Sequence, residues 1–180
     1  MPKKPIQIIV ILGLLSGFSV TADASDVTPT ILADLSKAQE QLVLALDHAQ
    51  LSLSTRDPRG GVALMHLQHV VNILEGKTGA NYAAGSPNPG DGYGAINYLR
   101  DAYALLKNQP DASHADEAIE FALAYLQEAD EHALHALHGI NPRHNAGLVM
   151  GMVSAALGQS TSSSPITGAL AYSLNALQKR

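Results

Sequence analysis

Residues 30–55 read TILADLSKAQEQLVLALDHAQLSLST, and this stretch decides the fold. At 100° per residue, Ile31, Leu35, Ala38, Leu42, Leu46, Ala49 and Leu53 gather on one face of a helix, with Leu44 and Leu51 nearly opposite. The run is 26 residues long without a glycine or proline, and Thr28 or Thr30 supplies an N-cap. A helix of this length with two apolar sides needs neighbours, so it predicts a bundle. Alanine and leucine dominate the composition, while aromatic residues make up only 4% of the chain. The fold class expected is all-α, a single-domain bundle of five to six helices.

Working outward, Asp57-Pro58-Arg59-Gly60-Gly61 is a turn. A second helix is expected from about Gly61 to Glu75, closed by Gly76, with Ala63, Leu67, Val70 and Leu74 as its centre line. His66 falls about 60° from that line and His69 at its border. Residues 76–92 form a long loop rich in glycine and proline, without periodicity. A third helix spans about 92–108, with Asp91 as its N-cap. A fourth runs from Ser113 to His138, its apolar face formed by Phe121, Ala122, Tyr125, Ala129, His132 and Ala133 among others. The segment 146–158 is apolar all round and reads as a buried helix, its Gly147, Gly151 and Ala155 stripe allowing close approach of another helix. A serine-rich linker, 159–165, leads to a last helix over 166–178.

The chain begins like an export signal. Lys3 and Lys4 precede an apolar run from Ile8 to Val20, and Ala22-Asp23-Ala24 offers a small-x-small cleavage site. Residues 1–24 are therefore expected to be a signal peptide and residues 25–180 the helical domain, periplasmic or secreted. The apolar run is shorter than the ~20 residues that span a bilayer, and no transmembrane span is expected in the mature chain. The whole chain has 11 basic and 16 acidic side chains; the leader takes Lys3, Lys4 and Asp23 with it, leaving 9 and 15, a net charge of −6. That balance argues against nucleic acid as a partner. There is no cysteine, so packing alone holds the fold, and thiolate metal sites and covalently attached haem are excluded.

Chemistry concentrates in two histidine pairs. His66-Leu67-Gln68-His69 and His132-Ala133-Leu134-His135 each place two imidazoles on one side of a helix. Imidazole is the usual neutral ligand where thiolate is missing, and bundles assemble such sites from inward side chains on facing helices. The expected site joins His66 and His132 in the core, with His69, His135 and Glu128 completing the shell from the rim. Zinc or copper is the expected ion. His48 and His138 are assigned to polar faces, outside the site.

Other chemistry is excluded. Glu128 and Glu131 precede His132 and His135 by four residues, not by the three of carboxylate-bridged di-iron proteins. Met65, Met150 and Met152 do not share a helix face, so a methionine-rich copper site is not expected. The loop lacks the acidic series of an EF-hand, and Gly76-Lys77-Thr78 follows a helix, not the strand of a P-loop. No Gly-x-Ser-x-Gly or His-Glu-x-x-His is present.

The run His66-Leu67-Gln68-His69-Val70-Val71-Asn72-Ile73-Leu74-Glu75-Gly76, followed by Asn88-Pro89-Gly90-Asp91-Gly92-Tyr93-Gly94, resembles a segment of uncharacterised secreted bacterial helical proteins. The resemblance covers roughly residues 62–99, under a quarter of the chain. It implies that the histidine helix and the glycine loop form one unit, and it implies no particular activity.

These features predict an exported bundle that binds a transition metal through histidines on two helices. A carrier, buffer or sensor suits the residue set better than an enzyme, because no acid–base or nucleophile set accompanies it. Two other classes remain, a ligand-free structural or interaction subunit with a protein partner, and an electron carrier with b-type haem held axially by two histidines.

Overall fold

The structure is a computed structural model that describes residues 27–109, 114–158 and 169–178. The expected signal peptide, 1–24, and the linker, 159–165, lie outside the described residues. Six helices follow in order: α1 Thr28–Ser54, α2 Gly61–Glu75, α3 Ala95–Leu106, α4 Ala115–Leu137, α5 Pro142–Leu157 and α6 Ala169–Gln178. No strand occurs among the described residues, so the all-α bundle is confirmed. No described helix is long and apolar enough to cross a membrane.

The helix ends follow local chemistry. Gly76 closes α2 at φ +72°, its N–H bonded to the Asn72 carbonyl, as expected of a glycine cap. Pro142 starts α5 four residues earlier than the apolar pattern suggested, because a proline at the first helical position has its φ preset and forgoes an N–H that would be unpaired anyway. Ser113, the expected cap of α4, lies outside the described residues. Asp116 and Glu117 in the first turn of α4 oppose the positive end of its dipole.

The long helices α1 and α4 each pack against α2, α3, α5 and α6. Their buried positions repeat at alternating spacings of three and four. In α1 these are Ile31, Leu35, Ala38, Leu42, Ala45, Ala49 and Ser52, with Gln41 buried beside the seam; in α4 they are Ala115, Ile119, Ala122, Leu126, Ala129, Ala133 and Ala136. This 3.5-residue seam corrects the expected arcs. Leu46 and Leu53 are only half-buried, and Phe121 and Tyr125 are exposed on α4. The physical reason is room. An alanine seam lets backbones approach closely, and bulky aromatics in it would hold the helices apart.

Helix α5 is not buried all round. Val149, Val153, Ala156 and Leu157 face the core, whereas Gly151 is exposed and nothing lies within 4 Å of a Cβ built at Gly147 or Gly151. The small-residue stripe therefore receives no helix within the described residues. The Ser173 hydroxyl of α6 donates to the Ala115 carbonyl at 3.1 Å, tying the last helix to the start of α4.

Candidate metal centre

Helices α1 and α2 are joined by six residues. Asp57 organises the turn by accepting from the Arg59 N–H at its side chain and from the Gly60 N–H at its carbonyl. Such a short connection folds α2 back along α1. At a rise of about 1.5 Å per residue, a side chain six residues before the end of α1 stands level with one five or six residues into α2. His48 holds the first position and His66 the second, with His69 about one turn further along α2.

The three imidazoles converge. Nδ1 of His48 is 3.0 Å from Nδ1 of His66 and 3.3 Å from Nδ1 of His69. One ligand atom from each ring lies within 4.8 Å of the other two, so the cluster can hold a metal ion. The His48 ring meets that of His69 edge-on, with centroids 4.7 Å apart, and that of His66 at 5.2 Å. His69 is 7% exposed, and its Nε2 is buried without a hydrogen-bond partner. His48 and His66 are half-buried.

Electrostatics favour the ligating form. Burial lowers the His48 pKa below the usual histidine value, helped by His69 and His66 and opposed by Asp47. Burial, then His66, lowers that of His69. Both rings are thereby held neutral, the state in which imidazole binds metal. A ring nitrogen carries either one proton or one in-plane lone pair, so Nδ1 of His48 cannot form a well-directed bond with both neighbours at once. Two ring nitrogens facing the one on His48 leave hydrogen bonding unsatisfied, and a cation held by one nitrogen of each ring would accept a lone pair from each.

This set corrects the expected one. His66 and His69 belong to the cluster, but their partner is His48 on α1 rather than His132, His135 and Glu128 on α4. His132 is committed elsewhere. Its Nδ1 lies 2.7 Å from Oδ1 of Asn145, whose amide N donates to the Ile140 carbonyl, so the His132 proton sits on Nδ1. His135 packs beside His132 with centroids 6.2 Å apart, and both His135 and Glu128 are exposed. The roles within α2 are also exchanged, since His69 is the buried member. Residues 69–74 of α2 are buried without a break, because α1, α3, α4 and the following loop all cover this half of the helix.

The loop is built rather than slack. The Asn72 amide donates to the carbonyls of Ala83 and Ser86, while its oxygen accepts from the Ala83 N–H and from Gln68. Buried Gln41 of α1 accepts from the Asp91 N–H at 3.1 Å. Asp91 does not cap α3. Its two carboxylate oxygens accept from the Tyr93 N–H and the Tyr98 hydroxyl, and the residue before the helix is Gly94 at φ +103°. A Cβ at Gly94 would sit 2.6 Å from the Glu75 carbonyl carbon, so only glycine allows the loop to close against the end of α2.

A cavity of about 570 Å3 opens where α2, α3 and α4 meet. Glu75, Asn97, Arg100, Asp130 and Glu131 line it, and no histidine does. The Asp130 carboxyl lies against that of Glu75, with Oδ1 buried and unpartnered. Its pKa is pushed up to about 8 by burial, then by the negative charge of Glu75, a hydrogen bond with it, and Glu131. No family model, curated protein or solved structure matches the chain.

Proposed function

We propose that the chain is an exported helical-bundle protein that binds a transition-metal ion, zinc or copper, through His48, His66 and His69, as a carrier, buffer or sensor. The observation that carries this reading is that Nδ1 of His48 stands 3.0 and 3.3 Å from Nδ1 of His66 and His69, with one ligand atom of each ring within 4.8 Å of the others. Zinc–nitrogen bonds of 2.0–2.1 Å at tetrahedral angles put neighbouring nitrogens about 3.3 Å apart, so His48 already stands near ligand spacing from both of its partners. The orphaned Nε2 of buried His69 adds support, since a buried imidazole without partners is costly unless something compensates. The leader-like sequence of residues 1–24 supports export. A haem held between His66 and His132 has less behind it, because the Nδ1 atoms of these rings already face His48 and Asn145.

The test is thermal unfolding of residues 25–180 with zinc or copper at about pH 7.5, beside a chelated control. Binding to the folded state raises the midpoint. Alanine at His48, His66 or His69 should remove that response. If all three variants keep it, the proposed centre is wrong.

A further inference from the structure

The proposed three-histidine centre, on which the following inference rests, leaves part of a bound ion's coordination shell uncovered. Structural zinc sites are closed by four protein ligands, whereas sites with three leave a position for water or an incoming donor. Among the described residues, no further histidine, aspartate or glutamate joins His48, His66 and His69 within the 4.8 Å radius. The neighbouring carboxylate, Asp47, follows the helix out to solvent and is exposed.

The two sides of the cluster differ. His69 faces the bundle interior and closes the inner side, while His48 and His66 are half-buried and border solvent. An exposed apolar side chain lies about one helical turn from each histidine. Leu51 follows His48 by three residues, Val62 precedes His66 by four and Met65 precedes His69 by four, so each shares a face with its histidine. They are 45%, 59% and 40% exposed. None can supply a carboxylate to shut the site, and none is a cation that would hold a polyanion.

We infer that a metal ion on His48, His66 and His69 keeps a fourth coordination position open, taken by water and exchangeable for a small monodentate anion. A bound ion can then accept an incoming donor before any histidine lets go, which is the step a carrier needs for release. Ligand exchange here makes one metal–donor bond and breaks one metal–water bond, with no change of oxidation state.

Cobalt(II) tests this in the full chain without a chromophoric ligand. One equivalent of Co2+ should give the strong visible absorption of a low-coordinate ion, and added azide should shift it saturably, with Met65→Leu behaving as the parent. An absorption that azide leaves unchanged, or shifts only after Met65→Leu, means a protein group fills the fourth position; the inference then falls while the three-histidine centre stands. If the parent shows only the weak spectrum of aqueous cobalt, or if the triple variant His48→Ala/His66→Ala/His69→Ala shows the same strong absorption, the centre and the inference fall together.

Discussion

Nδ1 of His48 lies 3.0 Å from Nδ1 of His66, across 18 residues of sequence and from one helix to the next. Two neutral rings in this pose can share one proton in a single hydrogen bond. The third ring, His69, stands 3.3 Å from the same His48 nitrogen and has no equally good arrangement left. The relationship therefore separates members of the centre from other histidines. At a free metal concentration about a hundredfold above the dissociation constant, the parent should gain roughly 2.7 kcal/mol of folding stability. His48→Ala should lose this gain, and His132→Ala and His135→Ala should keep it. Urea unfolding with and without zinc measures the difference, and equal loss in His48→Ala and His132→Ala would return the site to α4.

Acid should destabilise the metal-free fold through the same residues. The pKa values of His48 and His69 are lowered in the folded state from an unfolded value of 6.5. A depressed folded value means that their contribution is fully present above about pH 6.5 and is lost as pH falls through the folded value. Chelated protein should therefore show a falling urea midpoint on acidification, and His48→Gln should flatten that fall. An unchanged slope in His48→Gln would mean that the ring does not resist protonation in the fold.

The helices and the turn that pairs α1 with α2 were legible because periodicity and Gly/Pro punctuation are local signals. Two residues show where legibility ended. His48 sits between Asp47 and Ala49 and looks like part of a polar face, yet the six-residue turn fixes which residues stand level across the hairpin. Counting back from Ser54 and forward from Gly61 would have placed His48 beside His66 and His69. His132 failed for the opposite reason. Its place beside an alanine seam resembles an inward ligand position, and nothing local announces that the amide oxygen of Asn145, thirteen residues on, accepts a hydrogen bond from its Nδ1–H. Asn72 and Gln41 were equally silent, since polar residues inside apolar helices reveal their partners only when a distant loop arrives.

Asn72 provides the next prediction. It is fully buried, and its amide group makes four hydrogen bonds, three of them to the backbone of loop residues 83 and 86. Asn72→Ala removes all four and strands loop groups that are partly shielded from water. A cost on the order of 3 kcal/mol is expected, since each buried polar group left unpaired costs about 1–3 kcal/mol. Hydrogen exchange should locate the damage at the Ala83 amide. A loss of stability without faster exchange there would show that the side chain is not what pins the loop.

Asp130 titrates in the direction opposite to the histidines. Its folded pKa is raised from 3.8 to about 8, chiefly by burial and then by Glu75. A raised folded value means that its contribution is fully present below about pH 4 and is lost as pH rises towards 8. Ionisation sets its negative charge beside Glu75 in a partly desolvated cavity, with Glu131 adding another and Arg100 the cation lining it among the described residues. Asp130→Asn keeps the shape and cannot ionise. It should raise the urea midpoint more at about pH 8 than at about pH 4, leaving the acid loss caused by His48 and His69 as the main slope of the metal-free protein. Equal midpoint shifts at both pH values would mean that the fold holds Asp130 as an ionised carboxylate without resisting its ionisation.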